Sequence, residues 1–483
     1  MRTLCCLSLA LTLGCAHSTP PAATPPPSPA TAATPTPPPS ADAAAAGFIP
    51  ADVRPALEIP VETYTLTNGL KVALSRDTTA PIVTVGVYYH IGLRIEPRNR
   101  TGFAHLFEHM MFQGSENLGK LAFIQLVQRN GGFVNGSTRF DFTAYYEVVP
   151  SNVLETMLWA EADRMRGLKV TQENLTNQQG VVKSEVRVNV LNRPYGGWPW
   201  LTVPQLANRN WYNAHNFYGD LADLDAATLE DVQQFFRTYY APNNAALVVS
   251  GNFDPGPVKA WVSKYFEGIP RGEVPPLPDL TEPRQTEEQW RTVDDKLAQR
   301  PALAVAYHMP ARGSPEFWAM ALLQQILVEG PDSRLYQELV QKRGLTGEVE
   351  GGANLIGNQY NYQGPMLWMA YLFHDAGHPP KEIVSAIDAA IEPLRRAPVD
   401  QATLERAQVK ARSAYYGSLE RLYGYGRADL LATHALFDGD AATVNRIEPS
   451  LLAVTPELIQ RTAEEWLRPT NRTVVALQPA GGK

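Results

Sequence analysis

Cysteine is nearly absent from this 483-residue chain, and the three present, Cys5, Cys6 and Cys15, all lie in its first fifteen residues. The rest of the chain can therefore hold no disulfide and no thiolate metal site, and any metal must be bound through His, Asp or Glu. Histidine is sparse too, at nine residues. No dense basic patch occurs and the net charge is −7, which excludes a nucleic-acid-binding footprint. The one markedly apolar run near the start, Leu4 to Leu13, is too short to span a bilayer. Composition is otherwise that of a folded protein, 44% hydrophobic and 19% charged, enough for a sizeable core.

What is present begins with an address. Arg2, the run Leu4–Leu13 and then Gly14-Cys15 have the order of a signal peptide over residues 1–14. Leu13-Gly14-Cys15 resembles a bacterial lipobox, which implies that Cys15 is lipidated and becomes the first mature residue. Ala16, in place of aspartate, implies the outer membrane, with the protein facing the periplasm. A plain secretory cut near Ala16 is the alternative. Residues 15–55 are then a lipidated cysteine and a disordered tether rich in Pro, Ala, Thr and Ser. As polyproline II, some 30 residues reach about 90 Å. The lipid would be the sole contact with a membrane.

The chemistry concentrates in His105-Leu106-Phe107-Glu108-His109. Two histidines one helical turn apart point the same way and can grip one zinc ion per chain. Glu108, on the same turn, can take a proton from water beside that ion. The order His-x-x-Glu-His is the inverted form of the commoner zinc-protease motif. A third ligand is needed, and Glu147, Glu155, Glu161, Asp163, Glu173 and Glu185 are all available downstream.

The body also repeats itself. Thr228, Glu230, Gln233, Pro242, Asn244 and Val248 recur as Thr455, Glu457, Gln460, Pro469, Asn471 and Val475, every pair 227 apart. Each copy reads as a Thr-capped helix, a Pro turn and an apolar strand. The reading is two homologous α+β domains, each a mostly antiparallel sheet with helices packed on one face. A catalytic domain covers 56–270 and a non-catalytic one 288–483, joined by a Pro-rich linker at 271–287. In the first, Asn68-Gly69 marks a hairpin. Pro81–Ile91, Phe133–Ser137 and Phe142–Val149 read as strands. Thr101 is the expected cap of the motif helix. A long helix is expected from Val170-Thr171 to about Asn192.

Thr101 to Gly114, Gly132 to Thr138, Thr143 to Tyr146 and Gln178 to Arg187 together resemble the pitrilysin/insulinase (inverzincin) family of zinc metallopeptidases. The two-domain size is similar to that of small bacterial members and of mitochondrial processing peptidase subunits. The resemblance implies that His105, His109 and Glu185 hold zinc and that Glu108 is the catalytic base. It implies that Val134, Asn135 and Gly136 lie on an edge strand that pairs with the peptide substrate. Many members have a supporting glutamate where this chain has Gln178, which cannot supply negative charge to the ligand shell. Tyr145, Trp198, Trp200 and His215, in the loop Ala214–Gly219, read as structural. The resemblance further implies a clamshell of four domains, of which this chain supplies two. An Arg/Tyr pair usual in the far half aligns here with Val340 and Gly347, so a heterodimer with a paralogous subunit carrying that pair is expected, a homodimer being the alternative. The implied activity is a zinc-dependent endopeptidase of the cell envelope; the other reading is a non-catalytic peptide-binding or scaffolding lipoprotein of the same fold.

Overall fold

The computed structural model describes residues 48–50 and 52–480; the signal peptide, Cys15 and most of the tether lie outside the described residues. Two sheets form among the described residues. The first comprises β1 (Glu62–Thr65), β2 (Lys71–Arg76), β3 (Ile82–Tyr89), β4 (Phe133–Thr138), β5 (Thr143–Pro150) and β6 (Ala245–Gly251), ordered β1-β2-β6-β3-β5-β4. The second comprises β7 (Gln289–Asp295), β8 (Ala302–His308), β9 (Glu350–Ala353), β10 (Leu367–Phe373) and β11 (Arg472–Pro479), ordered β7-β11-β8-β10-β9. Without the β1 hairpin arm the two orders are the same. Each also has one parallel pair, β2 with β6 and β7 with β11, among antiparallel neighbours. The chain is thus a duplicated α+β unit, and residues 271–286 between the sheets carry neither helix nor strand.

The 227-residue repeat has a physical reason. Thr228 caps the helix Leu229–Tyr239 by accepting the Asp231 N–H, and Thr455 caps Pro456–Trp466 by accepting the Leu458 N–H. The asparagine that follows each helix is buried. Asn244 donates to the carbonyls of Tyr239 and His90, at 2.9 and 3.2 Å, and Asn471 to those of Trp466 and His308, at 2.7 and 3.0 Å. Each amide ties the end of its helix to the end of the central strand, β3 or β8, satisfying carbonyls that burial would otherwise leave unpaired.

Strand alternation sorts the first sheet into two faces. Val83, Val85, Val87 and Tyr89 join the core beneath the helices α1 (Phe103–Met110), α2 (Ala122–Arg129), α3 (Leu154–Arg166) and α4 (Gln172–Val186). Tyr88, Ala73, Ala144 and Val248 face the other way, into a core shared with the second half. That second face is covered by a helix from the second half, α5 (Arg421–Phe437). Tyr88 donates to Asp429 at 3.1 Å, Lys71 to the Leu436 carbonyl at 2.9 Å, and Arg427 pairs with Asp77 at 2.6 Å. The first half's own helices thus lie on one face of its sheet, as the sequence indicated, and the opposite face is covered by a helix of the second half.

The cap of α1 also differs from expectation. Gly102 occupies the N-cap in the left-handed region (φ 83°), and no side chain of the chain's own N-terminal turn caps the helix. Thr101 instead donates to Asp223 at 2.6 Å and accepts the Asp220 N–H at 2.9 Å. The buried Glu96 carboxylate takes over, accepting the N–H groups of Gly102 at 2.8 Å and Ala104 at 2.5 Å. A carboxyl group there satisfies two orphan donors at the start of the helix. Burial nevertheless dominates and pushes the Glu96 carboxyl up to about 8.

The folded protein thus keeps a proton on Glu96 that the unfolded chain releases above its ordinary pKa of 4.5. This group's contribution to stability is complete below that pH and is lost as pH rises towards 8. Urea unfolding from pH 5 to 8 should show wild type losing stability relative to Glu96→Gln, by at most about 1.4 kcal/mol per pH unit. Parallel pH profiles for the two proteins would contradict this assignment.

Candidate metal centre and peptide edge

α1 is short and amphipathic. Phe103, Ala104, Leu106, Phe107 and Met110 are buried, and the remaining face presents His105, Glu108 and His109. The two histidines lie a turn apart with their Nε2 atoms separated by 3.3 Å. Glu185 comes from the last turn of α4, whose start is capped by Thr171. Its Oε1 lies 3.6 Å from His105 Nε2 and its Oε2 3.4 Å from His109 Nε2. Among the described residues this is the one group of three or more His, Cys, Asp or Glu side chains whose ligand atoms lie within 4.8 Å of one another.

The donor set fits zinc. Ligands about 2.0–2.1 Å from a tetrahedral centre stand about 3.3–3.4 Å apart, close to the separations found. Burial lowers the pKa of His105 and so favours the neutral imidazole that can ligate. Glu185 is held down to about 2, first by its hydrogen bond with His109. The site therefore offers the His105 nitrogen lone pair and an ionised carboxylate beside the His109 ring.

The other carboxylates suggested by the sequence have different partners. Glu147 and Glu161 are buried beside Arg164, which pairs with Glu161. Asp163 accepts from Ser115 and Asn117, fixing the turn after α1. Glu155 bonds Tyr265 at 2.7 Å at the surface, and Glu173 is exposed in the first turn of α4. Gln178 is buried two turns before Glu185, and its amide donates to Asn177 at 3.3 Å.

Glu108 turns towards β4. Its Oε2 accepts from the Thr138 hydroxyl at 2.6 Å. The register places Val134, Gly136 and Thr138 on this face and Asn135 opposite, across from Tyr146. A Cβ at Gly136 would stand 3.0 Å from Glu108 Cγ, so glycine lets the strand run against the carboxylate. β4 ends the sheet, and only its β5 side is paired among the described residues. An exposed strand edge, the Glu108 carboxylate and the three converging donors are thus brought to one place. Asn135 is exposed and its Oδ1 accepts the Gly136 N–H at 2.9 Å.

Tyr145 is fully buried against Tyr240, their hydroxyls 3.0 Å apart. The ring nitrogens of His215 sit 3.0 and 2.9 Å from the carbonyls of Trp211 and Leu93. Trp198 is buried, and Trp200 packs on Tyr218 at 5.7 Å. Tyr218 itself was missed in the sequence. Its hydroxyl donates to Glu185 Oε1 at 2.8 Å, and its ring meets His105 edge-on at 5.1 Å. Burial raises its own pKa to about 12, so it remains a donor. The available signal was a tyrosine in the Ala214–Gly219 loop.

The chain is similar to a family of peptidases. Residues 71–194, which contain all four motif residues, match the family described as insulinase (peptidase family M16), and residues 226–410 match the peptidase M16 inactive domain. The chain is 27% identical over 431 residues to the zinc protease PqqE of Helicobacter pylori, covering 86% of this chain and 93% of that one. Its fold matches the crystal structure of a protease from Helicobacter pylori with a TM-score of 0.79 at 26% identity, covering 87% of this chain and all of the other. The fold also matches the periplasmic protease PqqL of Escherichia coli, TM-score 0.68 at 16% identity, with 88% of this chain lying over 48% of that one. With the inverted histidine motif and Glu185 inside the first match, and both matches to peptidase M16 models, the chain belongs to the insulinase/pitrilysin peptidase family M16.

Proposed function

We propose that this protein is a zinc-dependent endopeptidase that cleaves peptides or unfolded segments in the cell envelope. The observation that carries the reading is the convergence of His105, His109 and Glu185 beside Glu108 and the open edge of β4. His105, His109 and Glu185 would hold the metal. Bound zinc supplies Lewis acidity, which polarises a peptide carbonyl and makes water a better nucleophile. Glu108 takes a proton from the attacking water and passes it to the leaving amine as the C–N bond breaks. The Thr138 hydroxyl holds that carboxylate in place. The free edge of β4 along Val134, Asn135 and Gly136, where alternate residues turn their backbone groups outward, pairs with an extended substrate, giving affinity with little demand on sequence.

We further propose that it works as one half of a two-subunit clamshell. Val340 lies on the wide turn Tyr336–Lys342 and Gly347 in the exposed segment after it, and neither side chain can donate a hydrogen bond to a developing oxyanion. Arg343 pairs with Glu338 at 2.8 Å. A paralogous subunit carrying an Arg/Tyr pair would complete the site; losing one such donor costs about 3 kcal/mol in comparable enzymes. The coverage of PqqL by this chain is consistent with a pair of such halves. Cys15 would anchor the protein to the outer membrane through lipid.

Three measurements check these proposals. Glu108→Gln should keep about one zinc per chain and lose peptidase activity by roughly 10²-fold or more. In the same assay Glu185→Gln should lose zinc while Glu155→Gln and Glu173→Gln keep it; a Glu108 variant as active as its parent would leave the scaffold reading standing. Addition of the paralogous subunit should raise a low basal activity strongly, whereas full activity from this chain alone would refute the heterodimer. Cys15→Ser should move the protein from the membrane to the soluble fraction, and a parent already soluble would rule out the anchor.

A further inference from the structure

One side chain outside the proposed ligand set touches two of its three members. Tyr218 donates its hydroxyl proton to Glu185 Oε1 at 2.8 Å and sets its ring against His105 at 5.1 Å and 83°. The Asn189 side chain lies beside the Tyr218 hydroxyl. Asn189 lies in the wider π-helical turn Arg187–Leu191 that directly continues α4 after Glu185. The direction of the chain is fixed by chemistry. The Glu185 carboxylate can only accept, so the tyrosine proton points to it, and the tyrosine oxygen is placed to accept from the Asn189 amide.

Tyr218 is itself held by main-chain geometry. Asn216 Oδ1 accepts the Tyr218 N–H at 3.2 Å, and Asn216 Nδ2 donates to the Gly219 carbonyl at 3.1 Å. Gly219 (φ 87°) lies back to back with Gly102; a Cβ on Gly219 would stand 2.4 Å from Gly102 Cα. That contact sets the loop against the N-terminus of α1, one residue from the start of the helix that carries His105. Gln178, on the same helix as Glu185, gives its amide to Asn177.

We infer that Tyr218, steadied by Asn189, is the positioning residue that fixes the orientation of the Glu185 carboxylate and the His105 ring for metal binding. A glutamate in the last turn of a half-exposed helix would otherwise rotate among several rotamers. One hydrogen bond to Oε1 leaves Oε2 directed at the His109 side of the site. Outer partners of this kind are typically worth 10- to 100-fold in metal affinity. The inference rests on the reading that His105, His109 and Glu185 hold a metal.

The test is zinc affinity measured by chelator competition on the purified full protein. Tyr218→Phe keeps the ring against His105 and Trp200 and removes only the hydroxyl. It should weaken zinc binding by about tenfold or more, with the melting temperature of the metal-free protein unchanged. Asn189→Ala should give a smaller loss, and none beyond it when added to Tyr218→Phe. Zinc affinity of Tyr218→Phe within about twofold of wild type would overturn the inference, since a working outer partner is worth more than that. Should Tyr218→Phe fail to fold, Asn189→Ala decides alone, and unchanged zinc affinity there would overturn it. Glu185→Gln separates the two levels. Wild-type zinc affinity in that variant would sink the metal reading itself; weak binding in Glu185→Gln beside normal binding in Tyr218→Phe would sink only the role of Tyr218.

Discussion

Two imidazole nitrogens and a carboxylate converge within 3.3 to 3.6 Å of one another, and much of the first half is arranged to keep them there. His105 and His109 share a face because they are four residues apart on α1. α1 itself is only eight residues long, too short to persist by propensity alone. Its stability comes from its buried face and from the Glu96 carboxylate beneath its first turn. Glycine lets two of its neighbours approach closely, at Gly136 on β4 and at the Gly102–Gly219 contact. Glu185 reaches the pair from a separate helix more than seventy residues later, so the site exists only in the folded chain.

The duplication leaves two halves built alike, of which only the first holds the His105, His109 and Glu185 cluster. Both halves keep the elements that build the sheet, down to the matched asparagines that close each helix onto its central strand. The histidine motif belongs to the first copy alone. The second half contributes α5, which seals the far face of the first sheet with Asp429, Arg427 and the Leu436 carbonyl. Burial on both faces is what makes β3 and β6 nearly continuous apolar runs rather than alternating ones. The acidic residues Glu147 and Glu161 illustrate the same division. They are drawn into the core around Arg164, whose guanidinium stacks 3.8 Å from the Phe123 ring centroid, and so are lost as metal ligands.

Much of this was legible in the sequence because it depends on local rules. The Asn68-Gly69 hairpin, the Thr171 cap, the paired Thr228 and Thr455 caps and the edge strand at Phe133 follow from turn chemistry, capping and periodicity. The i, i+4 histidines follow from helix geometry. What stayed hidden depends on groups far apart in the chain. Thr101 has the right side chain for a cap, but Gly102 in the left-handed region turns it towards Asp223, and Glu96 fills the position from outside the helix. Tyr218 reaches Glu185 and His105 from a loop whose Gly219 packs on Gly102, more than a hundred residues earlier. The choice of Glu185 among six carboxylates needed either the family resemblance or the packing, since spacing alone does not reveal which acids the core absorbs.

The central claim is that His105, His109 and Glu185 share one metal ion. An anomalous difference map collected at the zinc edge from crystals of the zinc-loaded protein tests it most directly. The account predicts one strong peak about 2.0–2.2 Å from Nε2 of both histidines and from an oxygen of Glu185. A peak centred on other residues, or none at saturating zinc, would contradict it.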